Sequence, residues 1–330
     1  MSVLVTGAAG FIGFHVSKAL LDRGEHVVGV DNLNPYYDPR LKKARLELLA
    51  PHRGFSFYRE DVADREAMQR LAGWEKDVDR IVHLAAQAGV RYSLENPWAY
   101  VDANVHGQIT MMEIGRSLPR LRHLVYASSS SVYGGNTKLP FAVGDPVDQP
   151  VSTYAATKRA GELLAETYAH LYHLPMTGLR FFTVYGPWGR PDMAYYNFVE
   201  AIMSGHPIKV FNHGRMRRDF TYIDDIVRGV LSALDRPPAC NGPTDRPHKI
   251  YNLGNHRAEE LDTFISVLED CLGEHAERVY LPMQAGDVKA TYADIASTRR
   301  DLGFSPETSI EEGIPRFVEW YRGFRNRNRA

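Results

Sequence analysis

The sequence predicts an α/β protein: a doubly wound parallel sheet of the Rossmann type with a smaller C-terminal substrate-binding part. Three observations carry this. A short β-branched apolar run, Val3 to Thr6, is followed at once by glycines at Gly7, Gly10 and Gly13. Short apolar runs then alternate with helical stretches through the first half. The 330 residues suffice for two domains or one large α/β domain.

Taken in order, Val3 to Thr6 is the first strand, and Phe14 to Arg23 reads as a helix with Gly24 as its stop. Val27 to Val30 is the next strand and ends at Asp31. Phe55 to Arg59, Arg80 to Leu84 and His123 to Ala127 read as later strands, with helical stretches such as Arg65 to Ala72 between them. Such alternation implies a parallel sheet covered on both faces. Prolines and glycines break the second half, and 237–247 reads as an exposed loop. The division expected is a dinucleotide-binding domain over 1–180 and a mainly substrate-binding part over 181–330, with some segments returning to the first. The last residues, RGFRNRNRA, read as a frayed basic tail serving solubility.

Composition excludes several classes of partner. The net charge of −1 offers no global field for nucleic acid or an anionic membrane. No stretch approaches the roughly 18 apolar residues of a spanning helix, and no leader-like segment opens the chain. Two cysteines, Cys240 and Cys271, suggest neither a disulfide framework nor a zinc site and fit a reducing compartment, so a cytoplasmic protein is expected. His170 and His173 lie three apart on a helix with no third ligand, so no metal is expected.

The glycine run has a physical logic. The first glycine permits a tight turn, the second lets backbone approach a pyrophosphate, and the third lets helix and strand pack closely. The helix N-terminus then meets the phosphate charge. Asp31 ends the second strand at the spacing where an acid accepts ribose hydroxyls and repels a 2′-phosphate, which favours NAD over NADP. Arg40, Lys42 and Lys43 nearby leave the opposite preference open. Asp61 and Val62 end the third strand, where an adenine edge would lie.

A second constellation follows. In STYAATKRAGELLAETYAHLY, Tyr154 and Lys158 are four apart on one helical face. An ammonium beside a phenol favours the phenolate and makes it a general base. Upstream, a strand ends in Ser128, Ser129, Ser130 and Ser131, at the carboxyl end of the sheet where ligands sit. Ser129 is the expected partner of the oxygen that Tyr154 deprotonates, with Ser128 and Ser130 beside it.

The glycine run, HLAAQAGV, SSSSVYG, the Tyr154/Lys158 pair, LRFFTVYGP and RDFTYIDD occur in the order of the extended short-chain dehydrogenases acting on nucleotide sugars. The chain resembles that family from Val3 to about Asp225, and again over Ala285 to Phe304. The resemblance implies tightly bound NAD, a UDP-sugar substrate and a homodimer through two helices, one carrying Tyr154. It assigns Phe11, Ile12, Asn32, Leu84, Ala85 and Ala86 to the cofactor with the residues above. It assigns Thr183, Arg190, Phe211, Arg218, Asp287 and Arg91 to the substrate: Arg218 to the diphosphate, Phe211 to uracil, Asp287 to a ribose. Gln284 stands where the family often has a second arginine.

Within the family, dehydratases carry Asp-Glu where this chain has Ser130-Ser131, and UDP-glucuronate decarboxylases carry a glutamate at Ser131. Neither acid is present, so the resemblance favours an epimerase that moves only a hydride. PWGRPDMA, NPYYDPRLKKARLELL and AGVRYSLENP resemble UDP-glucuronate 4-epimerases, with Arg190 gripping the carboxylate. The expected reaction is reversible 4-epimerisation of UDP-glucuronate to UDP-galacturonate. The alternatives are a UDP-glucose or UDP-N-acetylhexosamine 4-epimerase, a UDP-glucuronate decarboxylase, and a catalytically silent dinucleotide sensor.

Overall fold

A computed structural model describes residues 1–242 and 244–327. Its centre is a seven-stranded, wholly parallel sheet. The strands are β1 (Ser2–Thr6), β2 (His26–Val30), β3 (Phe55–Tyr58), β4 (Val78–His83), β5 (His123–Ser129), β6 (Met176–Phe181) and the strand His248–Leu253. Across the sheet they run His248–Leu253, β6, β5, β4, β1, β2, β3. The chain thus builds outward from β1 to β3, then returns to β1's other side with β4. That reversal opens a crevice at the carboxyl ends of β1 and β4, where ligands of open α/β sheets bind.

The period of two in the strands puts apolar side chains on both faces. Val3 and Val5 pack with Phe14 and Leu20 of the helix α1 (Phe11–Asp22). Leu4, Val28 and Val30 pack on the opposite face with Met68, Met111 and Met112. The first of these cores continues into the second half through Phe220, Phe264 and Phe317. There the backbone is organised as small two-stranded pairings: Thr183–Tyr185 with Phe220–Tyr222, Ile208–Phe211 with Arg278–Leu281, and Arg217–Arg218 with Glu259–Glu260. The helix Ile223–Leu234 and the strand His248–Leu253 lie beyond residue 181 yet pack on the large sheet.

Two sequence expectations are corrected. Helix α1 begins at Phe11 rather than Phe14, because Gly10 is its extended N-cap and Gly13 is already helical. The terminal segment is not frayed as far as it is described. The helix Ile310–Arg327 continues to its end, with Arg322 donating to the Leu272 carbonyl (3.0 Å) and Arg325 to that of Met203 (2.9 Å). Residues 328–330 of that tail and residue 243 of the proline-rich loop lie outside the described residues.

Candidate active site

The crevice is a cavity of about 860 Å³. Every residue singled out above for cofactor, catalysis or substrate lines it, from Gly7 to Asp287. Residues from nine separate stretches of sequence therefore converge on one place.

At its floor, the turn after β1 abuts the segment after β4. Gly7 has φ +72°, and a Cβ there would sit 2.8 Å from the Ala85 nitrogen. A Cβ on Gly13 would sit 2.0 Å from the Gly7 carbonyl oxygen, so the third glycine lets α1 close onto the turn. Asp31 is buried at the end of β2. Its carboxylate accepts from the backbone N–H of Ala9 (3.2 Å) and of Leu33 (2.8 Å), with Lys42 Nζ 3.5 Å away. Asn32 donates to Asp61 (2.8 Å), which ties the ends of β2 and β3 together. Arg40 turns outward to Asp38 and is exposed, away from this rim.

Along the wall, Ser152 caps the helix Thr153–Tyr172 by accepting from the Ala155 N–H (3.1 Å). That helix presents Tyr154 and Lys158 to the cavity. The Tyr154 phenol lies beside the Ser129 hydroxyl. Burial pushes its pKa up, against the pull of the Ser129 hydroxyl and the Arg190 charge. Lys158 Nζ donates to the Ala127 carbonyl (3.0 Å), and burial lowers its pKa to about 8. Ser129 and Arg190 both favour the phenolate.

The serine run divides by role. Ser129 faces Tyr154, and Ser130 opens onto the cavity at the start of the short turn Ser130–Tyr133. Ser128 donates its proton to the buried Glu162 (2.6 Å), so its hydroxyl is committed to the interior. Glu162 is in turn gripped by both arms of Arg180 (2.8 and 2.9 Å).

The substrate-side residues form two groups. Arg190 lies beside Asp192 (3.2 Å) in the cavity wall, each side chain less than a quarter exposed. Burial opposes its charge, and the Asp192 carboxylate together with the phenols of Tyr154, Tyr36 and Tyr37 outweighs that cost and holds its pKa above the ordinary value. This ion pair lies inside the site rather than on the surface. At the far end Arg218 donates to Asp287 (2.7 Å) and to the Val288 carbonyl (2.7 Å). Arg91 lies over the Phe211 ring at 4.9 Å. His173 ends its helix in a left-handed conformation and His170 is exposed. Among the described residues no cluster of metal ligands occurs.

Two tyrosines at the site, Tyr36 in the cavity lining and Tyr100 outside that lining, carried no signal of their own in the sequence. Tyr36 donates to Asp192 (3.4 Å), and its ring packs against Tyr92. Tyr100 is fully buried and meets Tyr154 edge-on at 6.0 Å. The two adjacent tyrosines in NPYYDP, within an otherwise polar loop, were the available sign.

Known proteins align with this arrangement throughout. The model of the NAD dependent epimerase/dehydratase family matches residues 3–254. An uncharacterized protein of Escherichia coli O111:H- is 52% identical over 98% of this chain and 99% of its own. UDP-glucuronate 4-epimerase 3 of Arabidopsis thaliana is 48% identical over 98% of this chain and 77% of its own. A crystal structure of the UDP-glucuronic acid 4-epimerase from Bacillus cereus, in complex with UDP-glucuronic acid and NAD, superposes with a TM-score of 0.89. It is 33% identical over 98% of this chain and all of that one. With more than two thirds of its length matched and the glycine turn, phenol and lysine in one crevice, this chain belongs to the NAD dependent epimerase/dehydratase family.

Proposed function

We propose that the protein interconverts UDP-glucuronate and UDP-galacturonate by inverting carbon 4. The observation that carries this reading is Arg190, a guanidinium in the cavity wall whose charge reaches the Tyr154 phenol, beside a serine run that contains no acid. The named relatives support it.

The site fits NAD. A side chain on Gly7 or Gly13 would collide with backbone, so the turn is kept bare, and the buried Asp31 carboxylate stands at the ribose end. Gly7, Gly10, Phe11, Ile12 and Gly13 would hold the pyrophosphate. Asp31 and Asn32 would hold the adenosine ribose, Asp61 and Val62 the adenine, and Leu84, Ala85, Ala86 and Lys158 the nicotinamide half. When bound, NAD supplies reversible hydride exchange at carbon 4.

The chain's own residues do the rest. Tyr154 takes the proton of the 4-hydroxyl and returns it after the sugar has turned over, while Ser129 steadies the same oxygen. Arg218 and Asp287 anchor the nucleotide, with Phe211 against the uracil and Arg91 above it. Arg190, with Thr183 and Ser130, grips the carboxylate through charge-assisted bonds. A 4-keto uronate is a β-keto acid and loses carbon dioxide when the carboxylate bond lies parallel to the carbonyl π system, so this grip also protects the intermediate. In this reading the part beyond residue 181 chiefly holds the UDP-sugar, and Ser128 acts indirectly through Glu162.

The test is direct: incubate the purified protein with UDP-glucuronate, UDP-glucose and UDP-N-acetylglucosamine, and identify products by NMR. UDP-galacturonate from the first substrate is the expected outcome. Predominant UDP-pentose, or inversion of the neutral sugars alone, would overturn it.

Two further features complete the reading. Trp98 (75% exposed), Leu163 (53%) and Leu171 (57%) stand out on the helices Pro97–Val101 and Thr153–Tyr172, which pack on one another. Large exposed apolar side chains gathered on neighbouring elements mark an interface, and a homodimer through these helices accounts for them. Light scattering should give the mass of two chains, and Leu171→Asp should shift it toward one; an unchanged monomer mass in both would sink the assignment. Both cysteines are free, and no described helix is long and apolar enough to cross a membrane. Free thiols accord with a cytoplasmic location, which fractionation of the native host would check.

A further inference from the structure

The stretch NPYYDPRLKKARLELL contains an arginine for which the reaction above has no use. Arg45 lies on the helix α2 (Pro39–Leu49), and its side chain is fully buried. Its guanidinium bridges separate segments. Nη1 donates to the Ala9 carbonyl in the glycine turn (2.8 Å) and to the Tyr37 hydroxyl (2.8 Å). Nη2 donates to the Trp188 carbonyl (2.5 Å) and to the Gly189 carbonyl (3.3 Å). All four acceptors are uncharged, and among the described residues Nε has no partner. Burying a cation this way is costly. It is an odd choice for mere cohesion, which an apolar side chain of the same volume would supply.

The turn that it grips is also unusual. Trp188 has φ +62°, a left-handed conformation that a residue with a Cβ rarely adopts. A Cβ on Gly189 would lie 2.1 Å from the Tyr195 hydroxyl oxygen, so only glycine fits. The next residue is Arg190. The same guanidinium therefore holds the peptide of Ala9, whose N–H is bonded to Asp31, and the two carbonyls immediately before Arg190. Only a planar fork spans two such sites at once; an ammonium does not.

We infer that Arg45 is a positioning residue, fixing the turn that carries Arg190 against the dinucleotide turn so that Arg190 meets the sugar's acid group. The inference rests on the carboxylate role proposed for Arg190. It gives the post-β2 segment a part in selecting uronates, although Arg45 does not line the cavity itself.

The experiment is calorimetry on NAD-loaded protein with UDP-glucuronate and with UDP-glucose as its neutral counterpart. The proteins are wild type, Arg45→Met, Arg45→Lys, Arg190→Ala and the Arg45→Met/Arg190→Ala double variant. Arg45→Met should weaken UDP-glucuronate binding about tenfold and UDP-glucose binding less than about twofold, as expected for a lost charge-assisted contact at one end of the ligand. Arg45→Lys should not restore the uronate affinity. In the Arg190→Ala background, Arg45→Met should add no further selective loss, since the two act through one contact. A general loosening of the fold would instead weaken both sugars alike, and that result overturns the inference. So does a selective loss that persists without Arg190. If Arg190→Ala itself shows no selectivity, the carboxylate reading falls and this inference with it. A selective Arg190→Ala beside a non-selective Arg45→Met sinks the inference alone. Should Arg45→Met fail to fold, Arg45→Lys carries the same comparison.

Discussion

Tyr154→Phe is expected to lower turnover of UDP-glucuronate by about 10²–10⁴-fold, the range for a lost general base, while leaving UDP-sugar binding largely intact. The phenol lies beside Ser129 and within the field of Arg190, whereas Arg218 and Asp287, proposed to anchor the nucleotide, pair with each other at the far end of the cavity. Removing one oxygen deletes the proton carrier and changes little else. The pH dependence sharpens the test. Burial holds the phenol pKa up, so the wild-type rate should climb with pH as the phenolate fraction grows. The Lys158 ammonium, with a pKa of about 8, loses its charge on the alkaline side. Single-turnover assays from neutral to alkaline pH would show both effects, and the phenylalanine variant should lack the rise. Turnover near that of wild type would remove Tyr154 from the mechanism.

Glu162→Ala is expected to destabilise the fold by about 3–5 kcal/mol, the cost of leaving one partner of a buried ion pair uncompensated. Glu162 and Arg180 are almost completely buried, and Arg180 grips the carboxylate with two arms. Without it, the guanidinium keeps only the Tyr133 hydroxyl and the Val143 carbonyl. Ser128 loses its acceptor as well, immediately before Ser129, the proposed partner of Tyr154. Denaturant unfolding monitored by circular dichroism would measure the change. A loss below about 1 kcal/mol, the level of an exposed pair, would show that solvent or a rearranged partner takes over the charge.

The sequence by itself determined the fold class and singled out residues that line one cavity. Alternating short strands and helices impose a parallel sheet, and three glycines after a strand can serve few purposes other than a bare turn facing a helix N-terminus. Such features are local, so neighbouring residues reveal them. Tyr154 and Lys158 share a face because helical periodicity leaves no alternative, and a resemblance spread over many segments named further candidates, all of which line the one cavity.

What only the tertiary structure decided is which partner each of those groups chooses. Lys158 donates to the Ala127 carbonyl, and Ser129 and Arg190 both act on the Tyr154 phenol. Ser128 and Ser129 are adjacent in sequence but point to opposite sides of a strand, one into the protein and one toward the cavity. Arg190 finds Asp192 inside the site, and Tyr36 arrives there from a loop more than 150 residues away. Arg45 looked like any cation on a surface helix until folding enclosed it between the glycine turn and the turn before Arg190. Electrostatic interactions act through space and depend on burial, and neither separation in space nor burial is encoded in the spacing of residues along the chain.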